Sequence, residues 1–293
     1  MVVTASLVKE LRERTGAPMM ECKKALEATH GDLQLAVEEL RKSGRAKADK
    51  KAGRIAAEGI VLVQAANDGK LAVMLEINSE TDFVARDTNF LVFADAVAKT
   101  ALAHKTHDLA GLSTLPLSGH NGLTVEDARK ALVAKVGENI HVRRVALLNT
   151  ASGQIGTYLH GGRIGVLVEV DNDNSNLAKD IAMHVAASKP LVVNPQDVPS
   201  DIVAKEKEIY MAQAEQSGKP KDILEKMVAG KLKKYLDEVS LLGQPFVKDP
   251  ETTVATLLTK NRAKVISFTR FEVGEGIEKE SEDFVEAVMA QIK

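Results

Sequence analysis

Leu71-Ala72-Val73-Met74-Leu75-Glu76-Ile77-Asn78-Ser79-Glu80-Thr81-Asp82-Phe83-Val84-Ala85-Arg86 decides how the rest of the chain is read. Leu71, Val73, Leu75 and Ile77 alternate with Ala72, Met74, Glu76 and Asn78, the period of two that marks a half-buried strand. The alternation ends before Thr81, and a helical pattern begins downstream. Thr81, Asp82 and Phe83 therefore fall on a turn between strand and helix, where a scaffold presents groups to a partner.

Working outward, residues 58 to 103 read as strand, hairpin turn at Asn67-Asp68-Gly69, strand, junction, and a helix carrying Phe93, Val97 and Ala101. The same order recurs further on. Gln154 to Leu159, the turn His160-Gly161-Gly162, the strand Arg163 to Val170 and a helix bearing Leu177, Ile181 and Val185 form a second copy. Hairpins backed by helices on one face give an α+β class, with a core of two related antiparallel α+β subdomains.

Residues 4 to 44 read as three short helices whose Leu7, Leu11, Leu26, Leu33, Val37 and Leu40 close a small core. Thr4 and Asp32 are N-caps, Pro18 suits a first helical position, and Gly16, Gly31 and Gly44 stand where helices stop. Such a head resembles ubiquitin-associated domains, which bind through an apolar loop, here Gly16-Ala17-Pro18-Met19-Met20. From Arg41 to Arg54, seven basic residues face one acid, Asp49, which reads as a linker or a solvated helix.

His104 to Leu123 has no clear period and reads as an irregular connection; its His104, His107 and His120 lack carboxylate or cysteine partners at metal-ligand spacing. Thr124 caps a helix through Val136, and Ile140 to Leu148 is a strand. Ser200 to Leu242 reads as an inserted antiparallel helical hairpin turning at Ser217-Gly218-Lys219-Pro220, its seam made of Ile202, Ile209, Ile223, Met227, Leu232, Tyr235 and Val239. A short helix near Thr253 to Lys260 leads to a strand, Val265 to Val273, returning to the second sheet. A C-terminal helix capped by Ser281 and lined by Phe284, Val288 and Ile292 ends the chain. The expected divisions are 1–54, the three-helix head with its basic stretch; 55–139, the first core subdomain; 140–277, the second, with the hairpin inserted at about 198–242; and 278–293, the C-terminal helical module.

Composition narrows the function. A net charge of −2, from 39 basic and 41 acidic residues, gives no overall attraction to a phosphate backbone, and 3% aromatic content leaves little surface for base stacking. A single cysteine, Cys22, excludes an internal disulfide and a cysteine-rich metal site, and fits a reducing compartment. No apolar run approaches the roughly 20 residues that span a bilayer, so no membrane is expected and the location expected is cytoplasmic. There is no Gly-x-x-x-x-Gly-Lys-Ser/Thr, Gly-x-Gly-x-x-Gly, His-Glu-x-x-His or Gly-x-Ser-x-Gly. The expectation is a protein that binds no nucleotide directly, has no catalytic residues, and needs neither metal nor cofactor. On residues alone, Phe83 reads as an ordinary core aromatic at a strand end.

Two segments alter that reading. Leu11-Arg12-Glu13-Arg14-Thr15-Gly16-Ala17-Pro18-Met19-Met20-Glu21-Cys22-Lys23-Lys24-Ala25-Leu26 and Glu76 to Arg86 resemble the two signatures of the bacterial elongation factor Ts family. Gly137-Glu138-Asn139-Ile140 with Arg143-Arg144, the His160 turn, Ser217-Gly218-Lys219-Pro220, Gly243-Gln244-Pro245-Phe246 and Phe271-Glu272-Val273-Gly274-Glu275-Gly276 resemble it too, so the likeness covers nearly the whole chain. Pro18 replaces the small residue more usual in the family, and 104–123 resembles a divergent insertion.

The resemblance implies a translation elongation factor acting as guanine-nucleotide exchange factor for elongation factor Tu, in its GDP-bound and nucleotide-free states, with no covalent chemistry and no need of nucleic acid. Thr81, Asp82, Phe83 and Val84 would enter the partner's nucleotide domain and dislocate its magnesium. Arg12, Met19, Met20 and Lys23 would dock on that domain, and His160 on another. The last helix would add a further contact. The residues themselves leave two other readings open: an RNA-binding protein using 41–54, and a peptide-binding interaction module.

Overall fold

A computed structural model describes residues 3–120, 122–216 and 220–278. It is a mixed helix-and-strand protein of the α+β kind. In chain order the elements are α1 (Ala5–Thr15), α2 (Met19–Ala28), α3 (Leu33–Lys51), β1 (Glu58–Ala65), β2 (Leu71–Ser79), α4 (Asp82–Ala85), α5 (Thr88–His104), α6 (Leu109–Thr114), α7 (Val125–Val136), β3 (Ile140–Asn149), β4 (Gln154–His160), β5 (Ile164–Val170), α8 (Ser175–Ser188), α9 (Ser200–Glu215), α10 (Lys221–Val239), β6 (Pro245–Phe246), β7 (Asp249–Thr253), α11 (Val254–Lys260) and β8 (Val265–Glu272). The two larger sheets have the orders β1-β2-β3 and β4-β5-β8. Residues 217–219 of the expected hairpin turn, and the C-terminal helix with Ser281, Phe284, Val288 and Ile292, lie outside the described residues. The chain divides into two compact units, one formed by described residues within Met1–Leu62, Leu75–Val145 and Glu272–Lys293, the other by Val63–Met74 and Ala146–Phe271.

In the first unit, α1 to α3 enclose a core of Val8, Leu11, Cys22, Ala25, Leu26 and Ala36. Thr4 caps α1, and Asp32 caps α3 by accepting from the Gln34 and Leu35 N–H groups at 2.8 and 3.0 Å. Pro18 is the residue before α2 rather than its first helical position. Gly44 does not stop α3, which runs to Lys51; both Gly44 and Ala48 are buried. A Cβ at Gly44 would sit 3.2 Å from the Ala134 methyl, so the glycine lets α3 lie close to α7.

The basic stretch is largely a solvated helix face, one of the two readings of its sequence: Arg41, Lys42, Arg45, Lys50 and Arg54 are exposed, while some of its charges form ion pairs at the border of that packing. Arg45 pairs with Asp127 at 2.7 Å, Asp49 with Lys130 at 2.9 Å and Lys47 with Glu21, and the Lys51 ammonium donates to the Gly137 carbonyl.

Strand β2 departs from the half-buried pattern: every residue from Ala72 to Ser79 is buried. As the central strand of its sheet it is covered on both faces, and the face read as solvated carries Glu76, which is 0% exposed. Its carboxylate accepts from Arg143 at 3.0 and 3.2 Å, from Arg144 Nε at 2.5 Å, from the Asn78 amide at 3.0 Å and from the Gly274 N–H at 2.8 Å. The two guanidiniums also donate to the carbonyls of Glu275 and Glu272. Burial alone pushes the Glu76 carboxyl up, but the hydrogen bonds from Gly274 and Asn78 and the Arg144 charge outweigh it and hold the group below its ordinary 4.5. Next to it, Gly59 at φ +136° allows β1 to approach: a Cβ there would come 2.2 Å from the Ile77 carbonyl oxygen.

Residues 104–123, expected to be irregular, contain α6, capped by Asp108 through the Ala110 and Gly111 N–H groups at 3.0 and 2.9 Å. Six residues are too few to reveal a helical period in sequence.

In the second unit β4 and β5 pair antiparallel, with Gln154 opposite Val170 and His160 opposite Ile164. Helix α8 covers them, joining Leu177, Ile181 and Val185 to Val166, Val168 and Val170 in one core. Gly156 makes this possible, because a Cβ there would lie 2.1 Å from the Ala178 carbonyl oxygen. Buried His184 of α8 shares a hydrogen bond with Gln244 Oε1 at 3.0 Å through Nε2, and its Nδ1 accepts the Val247 N–H at 3.2 Å. Gln244 in turn donates to the Ser188 and Glu238 carbonyls, fixing the end of α10 to α8. Helices α9 and α10 pack on each other, with Ile202, Met227, Leu232, Tyr235 and Val239 of the expected seam half-buried. Ala214 and Val228 are buried, whereas Ile209 and Ile223 are exposed, since a two-helix hairpin has one face to hide and no third layer above it. Among the described residues no helix is long and apolar enough to cross a membrane.

Gly156→Ala is expected to destabilise the protein by about 1–3 kcal/mol through overpacking, read as a lower midpoint in chemical denaturation. For Glu76, the folded-state pKa lies below the unfolded one, so its stabilisation is complete above about pH 4.5 and is lost as pH falls through the lower folded value. Accordingly Glu76→Gln, which strands Arg143 and Arg144 beside an uncharged partner, costs about 3–5 kcal/mol at pH 7. Denaturation curves at pH 7 and pH 3.5 should show that gap between variant and parent shrinking in acid.

Candidate functional site

The segment after β2 is held at both ends and open in the middle. At its start the Ser79 hydroxyl donates to the Thr81 carbonyl at 2.8 Å. Thr81 donates twice to one carboxylate: its N–H to Glu138 Oε2 at 3.0 Å and its hydroxyl to Oε1 at 2.7 Å. The same hydroxyl oxygen accepts the Val84 N–H at 3.3 Å, which makes Thr81 the N-cap of α4. Glu80 accepts the Asn139 N–H at 2.6 Å and faces Arg54 at 3.5 Å. At the far end Asp87 caps α5 through the Asn89 and Phe90 N–H groups at 2.8 and 3.3 Å. The Asn89 side-chain amide also donates to it, and this bond above all holds the Asp87 carboxyl below its ordinary range. Lys135 of α7 fastens Asn89 at 2.6 Å.

Between these anchors stands a single turn of helix rather than the plain turn read from sequence. Ala85 is buried, Val84 is half-buried, and Phe83 is 81% exposed. Phe83 is thus no core aromatic: the turn that buries Ala85 leaves position 83 in water. Asp82 forms an i,i+4 pair with Arg86 at 2.9 Å. Both groups are solvated, so the pair costs little to open and Asp82 is available to another partner.

A second feature of the same unit is a groove of about 520 Å³ between α1 and α2, lined by Val3, Thr4, Ala5, Val8, Lys9, Arg12, Met19, Met20 and Lys23. Arg12, Met19, Met20 and Lys23 are therefore brought to one concavity. Met19 and Met20 are 55% and 62% exposed, because α2 turns Cys22, Ala25 and Leu26 inward and has no room inside for its first two residues. Cys22 is fully buried, with its thiol toward the Ala17 carbonyl at 3.5 Å.

His160, the last residue of β4, is exposed and belongs to the other unit. Its ring stacks on Tyr158 with centroids 6.4 Å apart, and Gly161 and Gly162 at positive φ close the loop to Ile164. Among the described residues no group of three His, Cys, Asp or Glu is placed to hold a metal ion.

Two parts of the arrangement escaped the sequence reading. Glu138 was noted only within Gly137-Glu138-Asn139-Ile140, and its hold on Thr81 is a contact across 57 positions. Glu76 read as a solvent-face residue; the signal available was a carboxylate inside an apolar strand together with the adjacent pair Arg143-Arg144 in another.

Residues 80–275 match the model of the family described as "Elongation factor TS". The chain is 58% identical over 291 residues to Elongation factor Ts of Legionella pneumophila (strain Paris), covering 99% of both chains. It is 57% identical over 294 residues to Elongation factor Ts of Thioalkalivibrio sulfidiphilus, covering all of this chain and 99% of the relative. Against Elongation factor Ts of Coxiella burnetii (strain Dugway 5J108-111) the identity is 54% over 291 residues, covering 99% and 98%. With a family model spanning well over half its length and relatives matching it from end to end, this chain belongs to the elongation factor Ts family of translation factors.

Proposed function

We propose that the protein is a guanine-nucleotide exchange factor for elongation factor Tu, and that Phe83 is its wedge. The observation that carries this reading is a large aromatic, 81% exposed, on a turn whose flanks are tied down by hydrogen bonds and a buried alanine. An isolated exposed phenylalanine stabilises nothing in its own chain. Placed in an apolar pocket it gains about 2 kcal/mol, and a pocket that exists only when the partner is open makes that gain select the open state.

In this mechanism Thr81 to Val84 press into the nucleotide domain of the GDP-bound partner. The partner's magnesium bridges its protein ligands and the phosphates, so displacing those ligands weakens the hold on GDP. GDP leaves, and GTP binds the nucleotide-free complex. Reciprocity requires that nucleotide weaken the grip of the factor as much as the factor weakens nucleotide binding, so GTP releases the factor for another cycle. No covalent bond is made or broken.

The groove supplies the attachment. Met19 and Met20 offer flexible apolar area, and Arg12 and Lys23 place positive charge at its rim, a combination suited to an apolar partner surface with acidic neighbours. His160, raised on a stacked Tyr158 at a glycine-closed tip, is assigned to a contact with a different domain of the partner. Asp82 trades Arg86 for a partner group on docking. As an organisation for this work we infer a ubiquitin-associated-like docking head at 1–54 and two related core subdomains, the strand at 140–149 going with the first because it pairs in the first sheet, with the helical hairpin inserted in the second at about 198–242.

Release of a fluorescent GDP from elongation factor Tu, followed by stopped flow, tests the proposal. Catalytic amounts of the protein should accelerate release without GTP hydrolysis, and Phe83→Ala should lower the saturating rate about tenfold or more, the size set by losing one buried aromatic. Full-rate release by that variant would sink the wedge. Met20→Ala in the groove should instead raise the factor concentration needed for half-maximal release several-fold, about 1 kcal/mol of contact, while leaving the saturating rate near that of the parent.

A further inference from the structure

We propose that Glu138 is a positioning residue for nucleotide exchange, acting through Thr81 on the stance of Phe83; the inference rests on the wedge reading above. A helix of four residues, Asp82–Ala85, is far too short to hold itself together, because fixing its first turn costs more chain entropy than one hydrogen bond returns. Its stance must come from outside. The Thr81 hydroxyl has one proton, which goes to Glu138 Oε1 at 2.7 Å, and this fixes the rotor so that a lone pair meets the Val84 N–H at 3.3 Å. The other carboxylate oxygen takes the Thr81 N–H at 3.0 Å, so Glu138 sets both the backbone and the side chain of the cap.

The carboxylate itself starts from a fixed point. Gly137, at φ +85°, ends α7 with its N–H on the Val133 carbonyl at 2.9 Å, and Glu138 is the next residue. The Gly137 carbonyl accepts from Lys51. The Asn139 N–H is held by Glu80, and its side-chain amide donates to the Ala52 and Arg54 carbonyls at 3.3 and 2.8 Å. Residues 137–139 are thus seated on the end of α3 while holding both Glu80 and Thr81. Without the Glu138 carboxylate, Phe83 remains exposed but the turn beneath it samples several orientations, and only the fraction in the productive one can enter the partner. Because the groove on α1 and α2 is untouched, the loss falls on release within the complex rather than on its formation.

The experiment is GDP release measured to saturating factor for Glu138→Ala, Phe83→Ala, the double variant, Thr81→Ser and Thr81→Val, each checked for folding by circular dichroism and thermal melting. Glu138→Ala is expected to lower the saturating rate about tenfold with little change in the half-saturating concentration, and Thr81→Val to do the same. Thr81→Ser, which keeps the hydroxyl, should recover most of the rate that Thr81→Val loses. In the Phe83→Ala background, Glu138→Ala should add less than about a twofold loss, since both act through one ring. A full rate for a folded Glu138→Ala protein, or an equal loss with and without Phe83, overturns the inference while leaving the wedge standing. Unchanged release by Phe83→Ala alone would remove the wedge, and this inference with it. Should Glu138→Ala fail to fold, Glu138→Gln, which keeps one acceptor, and Thr81→Val carry the same test.

Discussion

The carboxylate of Glu76, buried among two arginines, is the interaction on which the first unit depends. It gathers Arg143 and Arg144 of β3 and the Gly274 N–H, and through those guanidiniums the carbonyls of Glu272 and Glu275, around the central strand β2. Such a site adds little stability when compared with apolar residues of the same volume, because ions lose hydration on burial. Its value is specificity of arrangement. A register slip of one residue in β2 would turn Glu76 away from both arginines, so a single strand alignment satisfies all three charges. The loop that follows β2 therefore starts from a fixed place.

From that origin the chain applies a second principle, local restraint on both sides of an unrestrained residue. Ser79, Glu80 and Thr81 are hydrogen-bonded upstream, Asp87 and Asn89 downstream, and the restraints on Glu80, Thr81 and Asn89 include residues of α7 or the segment just after it. Helix α7 also carries Ala134, Asp127 and Lys130, against which α3 packs. One helix thus positions both the three-helix head and the loop.

Much of this was legible in the sequence where the signal is local. Caps at Thr4, Asp32 and Thr124, the Asn67-Asp68-Gly69 turn, and the repeated hairpin-then-helix order depend on residues a few positions apart, and the helices and strands stand where those residues place them. Reading failed where the decisive neighbour is distant in sequence. Gly44 reads as a stop because nothing nearby shows that Ala134 lies over it; the partners of Arg45, Lys47 and Asp49 on the exposed face of α3 are likewise invisible to a local window. Likewise the alternation in β2 could not reveal a second layer over Glu76. For the candidate site, residue types pointed to the groove and the loop together with the family likeness, whereas the exposure of Phe83 and the grip of Glu138 are purely three-dimensional facts.

An aromatic carried permanently in water is also a hazard, since it can glue copies of its own chain together as readily as it can enter a partner. The ion pair Asp82–Arg86 answers that hazard. The two charges belong to the same short turn as Phe83, one residue before it and three after, so a broad apolar surface that closes over the turn also dries a carboxylate and a guanidinium. A surface lacking groups to receive them loses more in charge hydration than the ring returns. Asp82 and Arg86 thus set a hydration cost against burial of the ring by a broad apolar surface.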